Sequence, residues 1–129
     1  MSTQDEFSRY RAVENVLYDY CRHLDTMDLL SLAALFTEDC YVVYGADDRL
    51  RARGRQALEI SLARMWRWRR TAHHLSNIQI QFEDSDKARA ESCVWAWHEG
   101  ADGSEAQVFG VYRDILVMEG DLGEQDLVD

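Results

Sequence analysis

The second half of this chain reads as three long strands with almost nothing between them. His74–Phe82, Ala88–Glu99 and Ala106–Met118 are rich in β-branched and aromatic residues. Only Glu83-Asp84-Ser85-Asp86 and Gly100-Ala101-Asp102-Gly103-Ser104 separate them. Connections this tight allow only antiparallel neighbours, because a parallel crossover needs a dozen or more residues. The chain is therefore committed to an antiparallel meander whose apolar face needs a cover.

The first half can supply that cover. Across residues 6–24, Tyr10, Val13, Leu17, Tyr20 or Cys21, and Leu24 recur at steps of three and four, which predicts an amphipathic helix with Asp5 as its N-cap. Leu24-Asp25-Thr26-Met27-Asp28 interrupts the pattern, and Asp28 is expected to cap a short helix over Leu29–Phe36. A strand is predicted at Cys40–Tyr44 and a short one around Leu50–Arg53. Gly54 then opens a third helix from Arg55 to about Arg69, with Trp68 off its apolar stripe. Helices followed by a long antiparallel sheet define an α+β fold: one curved sheet wrapped around N-terminal helices, a cone with an apolar interior suited to a small molecule. A single domain over 1–129 is expected, with an acidic, Gly-containing tail at 119–129 that is loose or a weak edge.

Composition removes several classes of function. A net charge of −10 argues against nucleic acid as a general partner. Eight arginines nevertheless cluster between Arg49 and Arg70; they suit a solvated helix face with ion pairs, or an anionic or carboxylated substrate. No apolar run approaches the ~18–20 residues of a membrane span, and the acidic N-terminus is unlike a secretory signal. Cys21, Cys40 and Cys93 are odd in number and far apart, so reduced, buried thiols in a cytoplasmic protein are expected.

Chemistry centres on Thr71-Ala72-His73-His74-Leu75-Ser76-Asn77. A histidine at a strand entrance is a candidate general base, because its ordinary pKa of about 6.5 lies near working pH; a hydrogen-bonded structural pair is the plainer alternative. Strict strand alternation puts His73 with Leu75 and Asn77, opposite Ile78 and Ile80. His73 therefore reaches the apolar face only if a bulge interrupts the strand. His98 is a candidate second pocket histidine or a strand-end surface residue. Trp95 and Trp97 share a face and suit a cone wall or a subunit interface.

Over roughly residues 8–118 the sequence resembles the SnoaL-like branch of the nuclear-transport-factor-2-like cone fold. The resemblance rests on Tyr18–Asp28, Leu35-Phe36-Thr37-Glu38-Asp39-Cys40, Gly54, His73–Asn77 and Gly110-Val111-Tyr112-Arg113-Asp114. It points to the cofactor-free lyases of that family, scytalone dehydratase, bile-acid 7α-dehydratase and hexachlorocyclohexane dehydrochlorinase. It implies His73 as base, Asp25 as the carboxylate that orients it, and Tyr20 and Tyr44 as donors to a substrate oxygen. Asn77, His98 and Trp97 are the expected substrate contacts. It implies a dehydratase or related eliminase acting on a small cyclic, aromatic or polyketide-like molecule, without cofactor or metal, in a homodimer or homotrimer joined through the sheet face. The alternatives it leaves open are a non-catalytic binding module, the small subunit of a ring-hydroxylating dioxygenase, and an isomerase or cyclase. One departure stands out. The family's penultimate strand usually ends in arginine and a Gly-Trp-Arg-Ile-like strand follows. Here Met118 or Glu119 stands at the first place and Leu122-Gly123-Glu124 at the second. The final strand is therefore expected to be short or absent, and a substrate contact from it is lost.

Overall fold

The computed structural model describes residues 3–45, 47, 50–117 and 122–128. Helix α1 (Thr3–Asp25) buries Val13, Leu17, Tyr20, Cys21 and Leu24 along one stripe, as the periodicity predicts. It starts before Asp5, so Asp5 lies in the first turn beside Glu6, where an acid still complements the helix dipole.

The end of α1 fixes Asp25. The Asp28 amide donates to His23 O (2.9 Å) and the Met27 amide to Leu24 O (3.1 Å). Met27 adopts a φ of 58°, the left-handed stop that closes a helix with such a bond pair. Asp25 is thereby the last helical residue, with its side chain at the rim. Asp28 caps α2 (Leu29–Ala34) through Ser31 N to Asp28 Oδ1 (3.2 Å), and those bonds hold its carboxyl below the usual range.

Strand β1 (Phe36–Val43) pairs with the short β2 (Arg51–Arg53). Helix α3 is only Arg55–Leu62; a 3-10 turn covers Ala63–Arg67, and Trp68 already begins β3. The expected long third helix stops early: Leu58 and Leu62 are its buried residues, Met65 packs on the core from the 3-10 turn, and Trp68 is already paired with Gly100 across the sheet. Strands β3 (Trp68–Phe82), β4 (Lys87–Gly100) and β5 (Glu105–Val117) form the antiparallel meander.

Residues 122–128 correct the expectation for the tail. Leu122–Val128 forms β6, and it lies inside the sheet rather than at an edge. The order is β2-β1-β6-β5-β4-β3, with β6 antiparallel to β5 and parallel to β1. Backbone hydrogen bonding to two neighbours needs no Trp-Arg-Ile sequence, so the strand forms despite its acids. Met118 and Glu119, the expected place of the missing arginine, lie outside the described residues.

Leu32, Ala33, Phe36, Val42 and Leu58 are fully buried between the helices and the sheet's inner face. The decisive irregularity is in β3. Ser76 pairs with Cys93 but Gln79 pairs with Glu91, so β3 carries one extra residue there. Asn77 sits in this bulge with φ 53°. The extra residue resets parity: Leu75 before it, and Ile78, Ile80 and Phe82 after it, all pack against the core.

Asparagine tolerates the left-handed conformation, whereas a β-branched residue pays about 1–2 kcal/mol for it. Asn77→Val is therefore expected to lower stability by about that amount, with Asn77→Gly nearly neutral. Urea denaturation of the two variants checks this.

Candidate active site

The bulge decides where His73 looks. Before it, Thr71 and His73 share the inner face with Leu75, and the His73 ring is only 5% exposed. Asp25 comes up from the end of α1 to meet them. Its Oδ1 lies 2.7 Å from His73 Nδ1 and accepts from Thr71 Oγ1 at 3.0 Å, while Oδ2 accepts from the His73 amide at 2.9 Å. Two residues of β3 and one carboxylate are thus tied together by three bonds. An ionised carboxylate can only accept, so Nδ1 carries the proton and Nε2 keeps its lone pair. That is the tautomer a general base needs.

His98 adjoins this pair. It is 8% exposed, so the strand-end surface reading is corrected: its place on the inner face of β4 turns it into the cone. The His73 and His98 rings meet edge to face at 5.5 Å, and Trp68 lies 5.0 Å from His98. A second register shift between Trp68 and Arg70 lets Trp68 turn inward with Thr71. Burial, then the neighbouring His73, pushes the His98 pKa down; the nearby Ala106 backbone works the other way. His98 Nδ1 is buried with no hydrogen-bond partner among the described residues.

A second group lies on α1, just past the end of β1, and on β5. The Tyr20 and Tyr44 hydroxyls are 2.7 Å apart. Tyr112 meets Tyr20 edge to face at 5.7 Å. Burial raises the pKa of all three. They keep their protons through the neutral range and can donate hydrogen bonds but not act as bases. Asp114, 2% exposed on the inner face of β5, raises Tyr44 and Tyr112 further. Cys21 lies near both groups; burial, then Asp25 and Asp114, pushes its thiol up to about 12.

The structure does not bring every expected residue here. Asn77 is exposed, and its amide donates to Cys93 Sγ (3.8 Å) on the outer face. Trp97 is also on the outer face, donating to Glu105 Oε1 at 2.9 Å. Thr71, Trp68, Tyr112 and Asp114 were missed. Once the register is known, alternation identifies all four, but parity across the bulges cannot be counted from sequence. A groove of about 830 Å³ crosses the outer face of the sheet, past Tyr41, Gln79, Arg89 and Arg113. It lies away from the dyad and belongs to a different surface. Among the described residues, no group of three or more His, Cys, Asp or Glu side chains converges as metal ligands would, and no helix is long and apolar enough to cross a membrane.

Comparison with known proteins gives a consistent picture. A family model described as a SnoaL-like domain matches residues 5–122. A provisionally assigned scytalone dehydratase from Novosphingobium aromaticivorans is 34% identical, with a TM-score of 0.90 over 98% of this chain and 87% of that one. A hexachlorocyclohexane dehydrochlorinase from Novosphingobium barchaimii shares the fold at 16% identity, with a TM-score of 0.84 over 98% and 89%. So does the β subunit of a provisionally assigned aromatic-ring-hydroxylating dioxygenase from Novosphingobium aromaticivorans, at 17% identity and a TM-score of 0.74 over 92% and 86%. No curated protein matches the chain.

The lowered pKa of His98 makes a pH prediction. The unfolded chain binds its proton more tightly than the folded one, so this residue costs nothing above about pH 6.5 and destabilises the fold as pH falls below it. Denaturation midpoints at pH 7 and pH 5 are expected to converge in His98→Asn relative to the wild type.

Proposed function

The chain belongs to the SnoaL-like domain family, and from that premise we propose that it is a cofactor-independent lyase acting on a small cyclic, aromatic or polyketide-like substrate. The observation that carries this reading is the 2.7 Å bond between Asp25 and His73 Nδ1, which leaves Nε2 as a base inside the cone. Similarity to dehydratase and dehydrochlorinase structures supports it.

In this reading Nε2 of His73 takes a proton from a carbon next to a carbonyl. The electron pair of that C–H bond forms the new double bond, and a hydroxide or halide leaves from the adjacent carbon. Hydroxide leaves as water by taking the proton back from the imidazolium, which restores His73; with halide the proton passes to solvent. Asp25 stabilises the imidazolium meanwhile. One hydroxyl of the Tyr20–Tyr44 pair donates to the carbonyl oxygen as charge grows on it while the other donates to its partner, and burial strengthens such a bond. The orphaned His98 Nδ1 meets a polar group of the substrate. Asn77 acts through the backbone, by aiming β3.

A second copy covers the outer face. There Trp95 and Phe109 stack at 6.1 Å while remaining 47% and 65% exposed, and His74 lies 5.5 Å from Trp95. The alternative, a subunit role beside a larger chain, would use the same surface.

Elimination assays on β-hydroxy ketones and chlorinated rings are expected to reveal turnover that His73→Ala and Asp25→Asn reduce by roughly 10²–10⁴-fold. Wild-type rates in His73→Ala would sink the base assignment. Light scattering of the pure chain is expected to give a dimer or trimer; a monomer removes the self-association.

A further inference from the structure

Four arginines crowd the end of the 3-10 turn and the start of β3, and they do not behave alike. Arg69 and Arg70 both bond to Glu99, Arg69 Nε at 2.8 Å and Arg70 Nε at 3.0 Å from Oε1. They share that one carboxylate at the end of the sheet. Arg64 and Arg67 turn elsewhere. Three residues make one turn of a 3-10 helix, so these two eclipse each other along one face, about 6 Å apart along the axis.

That face adjoins both halves of the candidate site. The Arg64 guanidinium lies 5.6 Å from the Tyr44 ring centroid, next to the Tyr20–Tyr44 hydroxyl pair. It is held there by Nη1, which donates to Ser61 O (3.2 Å) and Ser61 Oγ (2.8 Å). Arg67 lies 4.8 Å over Trp68, whose ring contacts His98, whose ring in turn contacts His73. Burial weakens the hold of Arg64 on its proton, and the tyrosines oppose that.

A chain with a net charge of −10 repels anions over most of its surface. Two arginines on one face set positive charge beside the candidate site. The guanidinium fork matches a carboxylate with two parallel bonds. The buried, unpartnered Nδ1 of His98 is a further polar contact between the two halves.

We infer that Arg64 and Arg67 form a carboxylate-recognition pair, and that the substrate of this cone carries a carboxylate which they hold while its reacting carbon faces His73. This deepens the lyase reading and rests on it for the word substrate; the binding itself does not require catalysis. The pair also supplies an anion contact from the 3-10 turn, independent of the C-terminal strand.

The test is binding of 2-naphthoate, its uncharged counterpart 2-naphthamide, and 2-naphthyl phosphate to the full chain. The readout is the ¹⁵N-labelled indole signal of Trp68, assigned with Trp68→Phe. Naphthoate is expected to bind about tenfold or more tightly than the amide, and more weakly as salt rises. Arg64→Gln and Arg67→Gln are each expected to weaken naphthoate about tenfold and leave the amide unchanged. Arg69→Gln is the control and is expected to change neither. Equal binding of acid and amide, no binding of naphthoate, an equal loss in Arg69→Gln, or preference for the phosphate would overturn the assignment. Naphthoate binding is expected to survive in His73→Ala. Selective binding without any elimination activity would therefore remove the lyase reading and leave the carboxylate site standing.

Discussion

The parity of β3 governs this molecule. A strand shows alternate residues to each face, so fifteen residues in strict alternation could not turn both His73 and Ile80 toward the helices. One extra residue at Asn77 removes the conflict. With it, the half of β3 after the bulge closes the apolar core, and the half before it presents Thr71 and His73 to Asp25. The site and the core are thus two consequences of one local defect in the ladder. The bulge costs little because the residue in it is an asparagine, whose short polar side chain accepts a positive φ.

Around that frame the polar groups sort by burial. The dyad sits at the rim, where Asp25 keeps 30% exposure while the His73 ring keeps 5%. Of the pair, the carboxylate meets solvent and the imidazole does not. Loss of water holds the protons of Tyr20 and Tyr44 on. Arg69 and Arg70 close the sheet end on Glu99, while Arg64 and Arg67 lie on the 3-10 turn.

Much of this was legible in the order of residues. The helical stripe of α1, the Asp28 cap, the tight turns of the meander and the Tyr20, Asp25 and His73 positions all follow from local pattern or family resemblance. The misreadings share a cause. The third helix was drawn too long because Arg-rich sequence has no strong breaker; only pairing with β4 pulls Trp68–Arg70 into a strand. The tail looked weak because it is acidic, but β6 is held by backbone bonds to two neighbours, which composition does not report. Asn77 and Trp97 were expected at the substrate from the resemblance, and both lie on the outer face. Asp114 was passed over because an acid in a strand normally faces water.

The sequence by itself determined the class of fold and the order of the residues that meet at the candidate site. Hydrophobic period and turn chemistry are local, and a His–Asp pair on two elements can be recognised by type and order. Only the tertiary structure decided how those groups are aimed. Facing depends on register, register depends on where a bulge falls, and a bulge is settled by which arrangement buries Ile78, Ile80 and Phe82. That energy belongs to the packed sheet and helices together, and no single stretch of chain contains it.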